Sequence, residues 1–239
     1  MKRALLAVAV VAMLAMAPTA SASGGTTTCN GTFTGATFNN ISVPTDGTCI
    51  LIASDVNGSV FVGKRAYFEA SATTIDGSVT GLFAGTIFLH DGTSVGGSVT
   101  GFLTQQIYLF DSSANNVTVI GSPTADGIVN LCGNNVNRDV TVVFSGTDIL
   151  IGDPLTIDCG GNTIGDDLYV VANKVEVELI VRGNTIGDDA TVSYNKGPAD
   201  KAVEGNIGGD RLSCKGNTSP FTAALNVGWN SKSGQCSGP

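Results

Sequence analysis

A chain of 239 residues with a formal charge of −8 is long enough to bury a core, and its acidity argues against nucleic acid and against anionic membrane as partners. Gly, Thr, Asn, Ser and Val are abundant while Lys, Glu and Leu are scarce. Good helix formers are missing and β-branched and turn-forming residues dominate, which predicts an all-β chain.

The sequence opens with Met1-Lys2-Arg3, an apolar run from Ala4 to Ala17, and then Pro18-Thr19-Ala20-Ser21-Ala22. A basic start, a short apolar run and an Ala-x-Ala site predict a secretory signal peptide over residues 1–22, cleaved after Ala22. The apolar run is shorter than the ~20 residues needed to span a bilayer. Cleavage would leave 217 residues (239 less 22), and losing Lys2 and Arg3 takes the charge from −8 to −10. No later segment is apolar enough to span, so the mature protein is expected to be extracellular, with no membrane attachment after signal cleavage.

Residues 23–28 form a short N-terminal segment, and from Cys29 to Cys214 one phrase recurs. It begins incompletely at Phe38 and is clean at Val56-Asn57-Gly58-Ser59-Val60, Ile75-Asp76-Gly77-Ser78-Val79 and Val95-Gly96-Gly97-Ser98-Val99. It loosens at Val117 and at Val136-Asn137-Arg138-Asp139-Val140. Two near-identical copies follow, Gly161-Asn162-Thr163-Ile164-Gly165-Asp166-Asp167 and Gly183-Asn184-Thr185-Ile186-Gly187-Asp188-Asp189, then Ile207-Gly208-Gly209-Asp210. Successive anchors stand 18, 19, 20, 22, 19, 28, 22 and 21 residues apart. A period near 20 marks a solenoid, in which each unit buries its apolar side against its neighbours.

About 12 residues after each anchor comes a second apolar strand, such as Ile87-Phe88-Leu89 or Ile107-Tyr108-Leu109. Two strand signals in constant phase predict a coil of a parallel β-helix and count against an antiparallel sandwich. The expected fold is a single-stranded parallel β-helix of about nine coils over residues 29–214, with 215–239 as a C-terminal cap. Val60, Val62, Val79, Val99, Val140, Val142 and Val170 should point inward, with the residues between them outward. The glycine after the anchor fits a corner needing positive φ or a close backbone approach. Asn39, Asn57, Asn115, Asn134, Asn162 and Asn184 cluster near corners, where asparagine tolerates the left-handed conformation and can hydrogen-bond along a stack.

The cysteines support this register. Cys29 and Cys49 are 20 residues apart, Cys132 and Cys159 are 27, and Cys214 and Cys236 are 22, each about one coil. Equivalent residues of stacked coils lie within the ~4.4–6.8 Å Cα separation of a disulfide, so three sequential bridges are expected. The middle pair flanks an insertion around Gly152-Asp153-Pro154. The outer pairs would tie the solenoid's ends, with Phe221, Leu225, Val227 and Trp229 covering the C-terminal opening.

Four surface patterns are candidates for function. Acidic rows come first: one corner position reads Ser59, Ser78 and Ser98, then Asp139, Asp167, Asp189 and Asp210, and Asp166 and Asp188 add a second row. Oxygen-rich rows suit Ca²⁺, although the nonapeptide of calcium-binding β-rolls is absent and aspartates capping backbone N–H groups are the simpler account. Second, a β-helix can process glycans with carboxylates and a basic partner, here Arg138, Arg182 or Arg211, yet only Asp148 to Cys159 is expanded enough to build a cleft. Third, Thr80, Thr100, Thr118, Thr141 and Thr191 occupy one outward row suited to a flat ligand. Fourth, Phe88 and Tyr108 should stack outward near Phe110, where they could hold a sugar ring or a partner protein. His90 reads as a surface histidine. Nucleophile elbows, P-loops, zinc sets and dinucleotide fingerprints are absent.

The stretch Gly205-Asn206-Ile207-Gly208-Gly209-Asp210-Arg211-Leu212-Ser213-Cys214-Lys215-Gly216-Asn217-Thr218, with the ending Lys232-Ser233-Gly234-Gln235-Cys236, resembles a family of secreted actinobacterial proteins. That resemblance covers most of the mature chain and implies no particular activity. The early coils are similar, at the level of the repeat, to the polymer-forming repeats of bactofilins, which implies filament formation. The signal peptide and cysteines depart from cytoplasmic bactofilins. The function expected is a secreted, non-enzymatic β-helical protein with a structural or surface-interaction role, its partner a cell-surface glycan or a second copy. The alternative is a carbohydrate-binding or pectate-lyase-like carbohydrate-cleaving β-helix. No cofactor is required, with Ca²⁺ as the one ion the acidic rows could take.

Overall fold

The computed structural model describes residues 25–123, 126–152 and 160–237. The signal-peptide reading of residues 1–22 and the cysteine Cys159 lie outside them. The described residues contain strands and turns and no helix, and the strand pairings are parallel. The chain winds as a β-helix, with a 10-stranded sheet on one side and an 18-stranded sheet, bent at a corner, forming the rest of the wall.

The coils are numbered 1 to 10 by their strand in the 10-stranded sheet. Coils 1 to 5 carry Gly31–Thr34, Thr48–Ile52, Tyr67–Ser71, Thr86–His90 and Gln106–Phe110 there. Coils 6 to 10 carry Ile128–Cys132, Asp148–Gly152, Glu178–Arg182, Asp200–Glu204 and Phe221–Ala224.

Three wall segments per coil replace the two expected. The third is a two-residue strand holding the anchor itself, such as Thr74–Ile75 or Thr185–Ile186. A segment of two residues is too short to leave an alternating signal, so the sequence merges it with the corner. The tail supplies a tenth coil: Phe221–Ala224 pairs with Lys201–Glu204, and Ser231–Gly234 with Arg211–Cys214.

Two anchors shift. Val95 pairs with Ala114, not Val117, which instead continues the row Val99, Val117, Val140. The coil is one residue shorter there, with an irregularity between Val95 and Ser98. Likewise Ile186 pairs with Gly208, leaving Ile207 outward and 51% exposed. The indole of Trp229 occupies the space a side chain at Gly208 would need, and Trp229 and Phe221 pack against the core, whereas Leu225 and Val227, expected to help cover this end, point to solvent at 79% and 56% exposure.

The interior is a stack of apolar rows. All seven valines assigned inward are buried. A second inward row reads Phe68, Ile87, Ile107, Val129, Ile149 and Leu179, and then Lys201, which is 2% exposed. Its ammonium donates to the carbonyls of Gly197 (3.0 Å) and Ala199 (2.7 Å), and burial pushes its pKa down.

Corners are built in two ways. Asn134, Asn162, Asn184, Asn206 and Asn226 form a buried ladder, each amide linked to the next at 2.9–3.0 Å from Asn134 to Asn226. None of these asparagines adopts positive φ; the left-handed residue is the one before, such as Gly133, Gly183 or Gly205. At the repeat's own corner the glycines serve close approach. A Cβ at Gly187 would overlap the carbonyl oxygen of Gly165 in the preceding coil.

Disulfides join Cys29 to Cys49 and Cys214 to Cys236, with Cα atoms 5.4 and 5.2 Å apart, tying the first and last coils as the spacing predicts. Cys132 is also disulfide-bonded, and its expected partner is Cys159, which lies outside the described residues. Disulfides of this kind belong to an oxidising compartment. No helix among the described residues is long and apolar enough to cross a membrane.

Candidate functional site: an aromatic and carboxylate face on coils 3 to 5

Because alternate residues of a strand face outward, the 10-stranded sheet displays three outward rows, and in coils 3 to 5 these rows become aromatic. Phe88 pairs directly with Tyr108 and with Glu69 on its other side, while His90 pairs with Ser71. The Phe88 ring lies stacked on His90 at 4.2 Å between centroids. It meets Tyr108 and Phe110 edge-to-face, each at 5.7 Å, and Tyr108 meets Phe110 at 6.0 Å. The three expected aromatics are therefore gathered into one cluster, in edge-to-face rather than parallel stacks.

A polar chain runs along its edge. The Tyr67 hydroxyl donates to Glu69 Oε2 at 2.6 Å, and Glu69 Oε1 lies 3.2 Å from His90 Nε2. His90 Nδ1 in turn lies 2.8 Å from Asp91 Oδ2, which also accepts from the Ser71 hydroxyl at 2.9 Å. Burial and the adjacent Glu69 carboxylate push the Tyr67 phenol up to about 12, so it remains a donor at neutral pH. Asp91 is the next residue along the chain but Glu69 lies in the coil before, so sequence spacing alone hid that His90 is held between two carboxylates. The signal that could have found them is the coil register: Glu69 and His90 are 21 residues apart, close to one period.

The acidic corner has a different structure from that expected. The first row runs Asn116, Asp139, Asp167, Asp189 and then Arg211, because each side-chain oxygen accepts the backbone N–H one coil on. Asp210 belongs to the second row, above Asp188 and Asp166. In the early coils Asn40, Ser59 and Ser78 do the same work. Asp167 also accepts from Tyr169 (2.8 Å), and Asp189 binds the Arg211 guanidinium. Asp188 is held above the usual carboxylate range by its partial desolvation and by Asp167, Asp166, Asp210 and Asp189 around it. Among the described residues no three metal-ligating side chains converge on one point.

The threonine row is in register: Thr80, Thr100, Thr118 and Thr141 stand opposite one another in coils 3 to 6, with Phe61 before them and Tyr169 after. Farther along the 10-stranded sheet, Glu178, Arg182, Asp200, Glu204 and Thr222 line a shallow groove of about 430 Å³. Arg182 is engaged by Glu204 at 2.6 Å, and burial with the neighbouring Asp148 raises the Glu178 pKa.

No known family model, curated protein or solved structure matches the chain, so its functional reading is carried by the geometry of these faces.

Proposed function

We propose that the protein is a secreted, non-enzymatic β-helical scaffold that binds an extracellular surface polysaccharide through Phe88, Tyr108 and Phe110. The observation that carries this is the adjacency of a partly exposed aromatic cluster and a fixed chain of polar groups, Tyr67, Glu69 and His90. Aromatic faces take the apolar face of a pyranose, and carboxylate, phenol and imidazole take its hydroxyls. Mounting them on paired strands holds them in place before the ligand arrives, which lowers the entropic cost of binding. Secretion is supported by the N-terminal signal pattern and by the disulfides.

Glycan-array binding with the chain from Ser23 onward tests the site. Binding is expected with or without Ca²⁺, and Phe88→Ala/Tyr108→Ala is expected to weaken it by at least about 10-fold, about 1.4 kcal/mol. Absence of any bound glycan, or equal binding by the double variant, would sink the proposal. A second reading, cleavage rather than binding, is favoured only by the raised carboxyl of Glu178 in its groove. It requires product release from a bound polysaccharide that Glu178→Gln abolishes.

A further inference from the structure

One edge of the solenoid is apolar along six coil boundaries. The outward residues that end the strands of the 18-stranded sheet are in register from Leu82 and Phe102 through Ile120 and Val143 to Val171. The corner residues beside them read Phe83, Leu103, Gly121, Phe144, Ala172 and Tyr194, and all six have positive φ. Bulky side chains rarely occupy that backbone region, where glycine or asparagine is ordinary. Here they are also left in water: Phe83 is 46%, Tyr194 55% and Phe144 68% exposed. Within the chain Phe83 meets Phe102 edge-to-face at 6.2 Å and the Tyr194 ring lies over Gly216, yet much of each ring stays in water.

We propose that this edge is the contact between two copies of the chain, packed antiparallel about a two-fold axis between Gly121 and Phe144. The order of side chains is self-complementary in that arrangement. Reversed against itself, the row sets Phe144 opposite Gly121, Leu103 opposite Ala172, and Phe83 opposite Tyr194, so large faces small at the centre and aromatic faces aromatic at the ends. Beside Gly121 an open notch of about 450 Å³ is lined by Leu103, Pro123, Phe144, Ala172 and Lys174, with Leu103 reaching over the glycine. The Phe144 ring of each copy fills the notch of the other.

The partner must match a row of side chains repeating every ~4.8 Å over about 24 Å, and a second copy of this chain has that repeat. With aromatic side chains of ~150–250 Å², the apolar edge presents on the order of 600 Å². That is the upper end of the largest patch on a typical monomer and near the ~800 Å² that each partner contributes to a stable interface. Lys174, paired with Glu176 at 3.4 Å, and Lys196 lie in adjacent coils beside the C-terminal half of the edge, and a parallel dimer would set each against its own copy. Arg65, at the far end, is already neutralised by Asp46.

Sedimentation equilibrium of the mature chain from ~1 to 200 µM tests this. A dimer is expected, and Phe144→Ser should raise its dissociation constant at least about 30-fold while leaving circular dichroism unchanged, with the thermal midpoint equal to wild type at concentrations where both are monomeric. In a mixture of the single variants Leu103→Cys and Ala172→Cys, a short bis-maleimide should join one of each, while neither variant alone is joined to itself, as only the antiparallel order allows. A monomer at every concentration, or a dimer indifferent to Phe144→Ser and to Phe83→Ser, overturns the proposal. So does retention of the wild-type monomer, but not of Phe144→Ser, on phospholipid vesicles or on an insoluble polysaccharide. Because the glycan site lies on the other sheet, its failure leaves this test intact.

Discussion

Asn184 does several things at once. Its Oδ1 accepts from both the backbone N–H and the side-chain amide of Asn162 (3.1 and 2.9 Å), and its Nδ2 donates to the Ile151 carbonyl and to Asn206 (both 2.9 Å). It is fully buried, so no water replaces these bonds. Replacement by alanine strands at least two donors and an acceptor. At ~1–3 kcal/mol for each unsatisfied buried group, Asn184→Ala is expected to cost about 3 kcal/mol or more. In a chain of this size that lowers the thermal midpoint by on the order of 10 °C. Asn184→Thr should lose less than half as much, since Ser54 and Thr73 accept backbone N–H groups at the same corner of earlier coils. Equal losses for the two variants in a thermal melt would show that a hydroxyl acceptor replaces nothing here, so that the two Nδ2 donor bonds carry the position's contribution.

At the scale of the coil, each unit touches only its neighbours, so damage should stay where it is made. Removing the last bridge with Cys214→Ala/Cys236→Ala releases a link spanning 22 residues, worth about 3 kcal/mol in the loop-entropy estimate. Hydrogen exchange is expected to accelerate across residues 215–237 while coils 3 to 8 keep their protection. Acceleration spread evenly over all coils would mean the solenoid unfolds as one cooperative body.

The coil is also the unit the sequence made legible. Period, inward valines and the terminal disulfide pairs follow from side-chain polarity and spacing, and the structure has them. Register within a coil was less secure. In Ala114-Asn115-Asn116-Val117 the larger apolar residue draws the anchor to Val117, although the small Ala114 faces the core. At Ile207 the same preference for the larger side chain hid the fact that Trp229 fills the space above Gly208. In the candidate site, Phe88, Tyr108 and Phe110 could be placed on one face by alternation alone. Their polar partners needed the coil register as well: Glu69 and His90 stand 21 residues apart, close to one period, yet read singly each looks like an isolated surface residue.

Across the whole molecule the edges differ in outward chemistry, one apolar and one acidic, while buried asparagine ladders line two corners, Asn134 to Asn226 and Asn173 to Asn217. The acidic edge holds a cost that solution conditions can reveal. Asp188 is partly desolvated and crowded by Asp167, Asp166, Asp210 and Asp189, so its folded pKa lies above its unfolded value. The sign is the reverse of the usual aspartate, because here the folded state takes up the proton more readily. This group's effect on stability therefore improves as pH falls into its titration range and worsens again above it. Asp188→Asn should raise the thermal midpoint at pH 7 in low salt, and should abolish its share of the change on acidification. Because the repulsion between the carboxylates is screened and the desolvation is not, the gain should shrink without vanishing near 1 M NaCl, where the screening length falls to ~3 Å. Ca²⁺ at matched ionic strength decides whether these rows do more than cap the backbone. If wild type and Asp188→Asn respond alike to Ca²⁺ and to Na⁺, the rows act only as a screened line of charge. A midpoint rise specific to Ca²⁺ and lost in Asp188→Asn would instead make the edge a cation site, with Asp166 and Asp210 as the neighbouring carboxylates to test next.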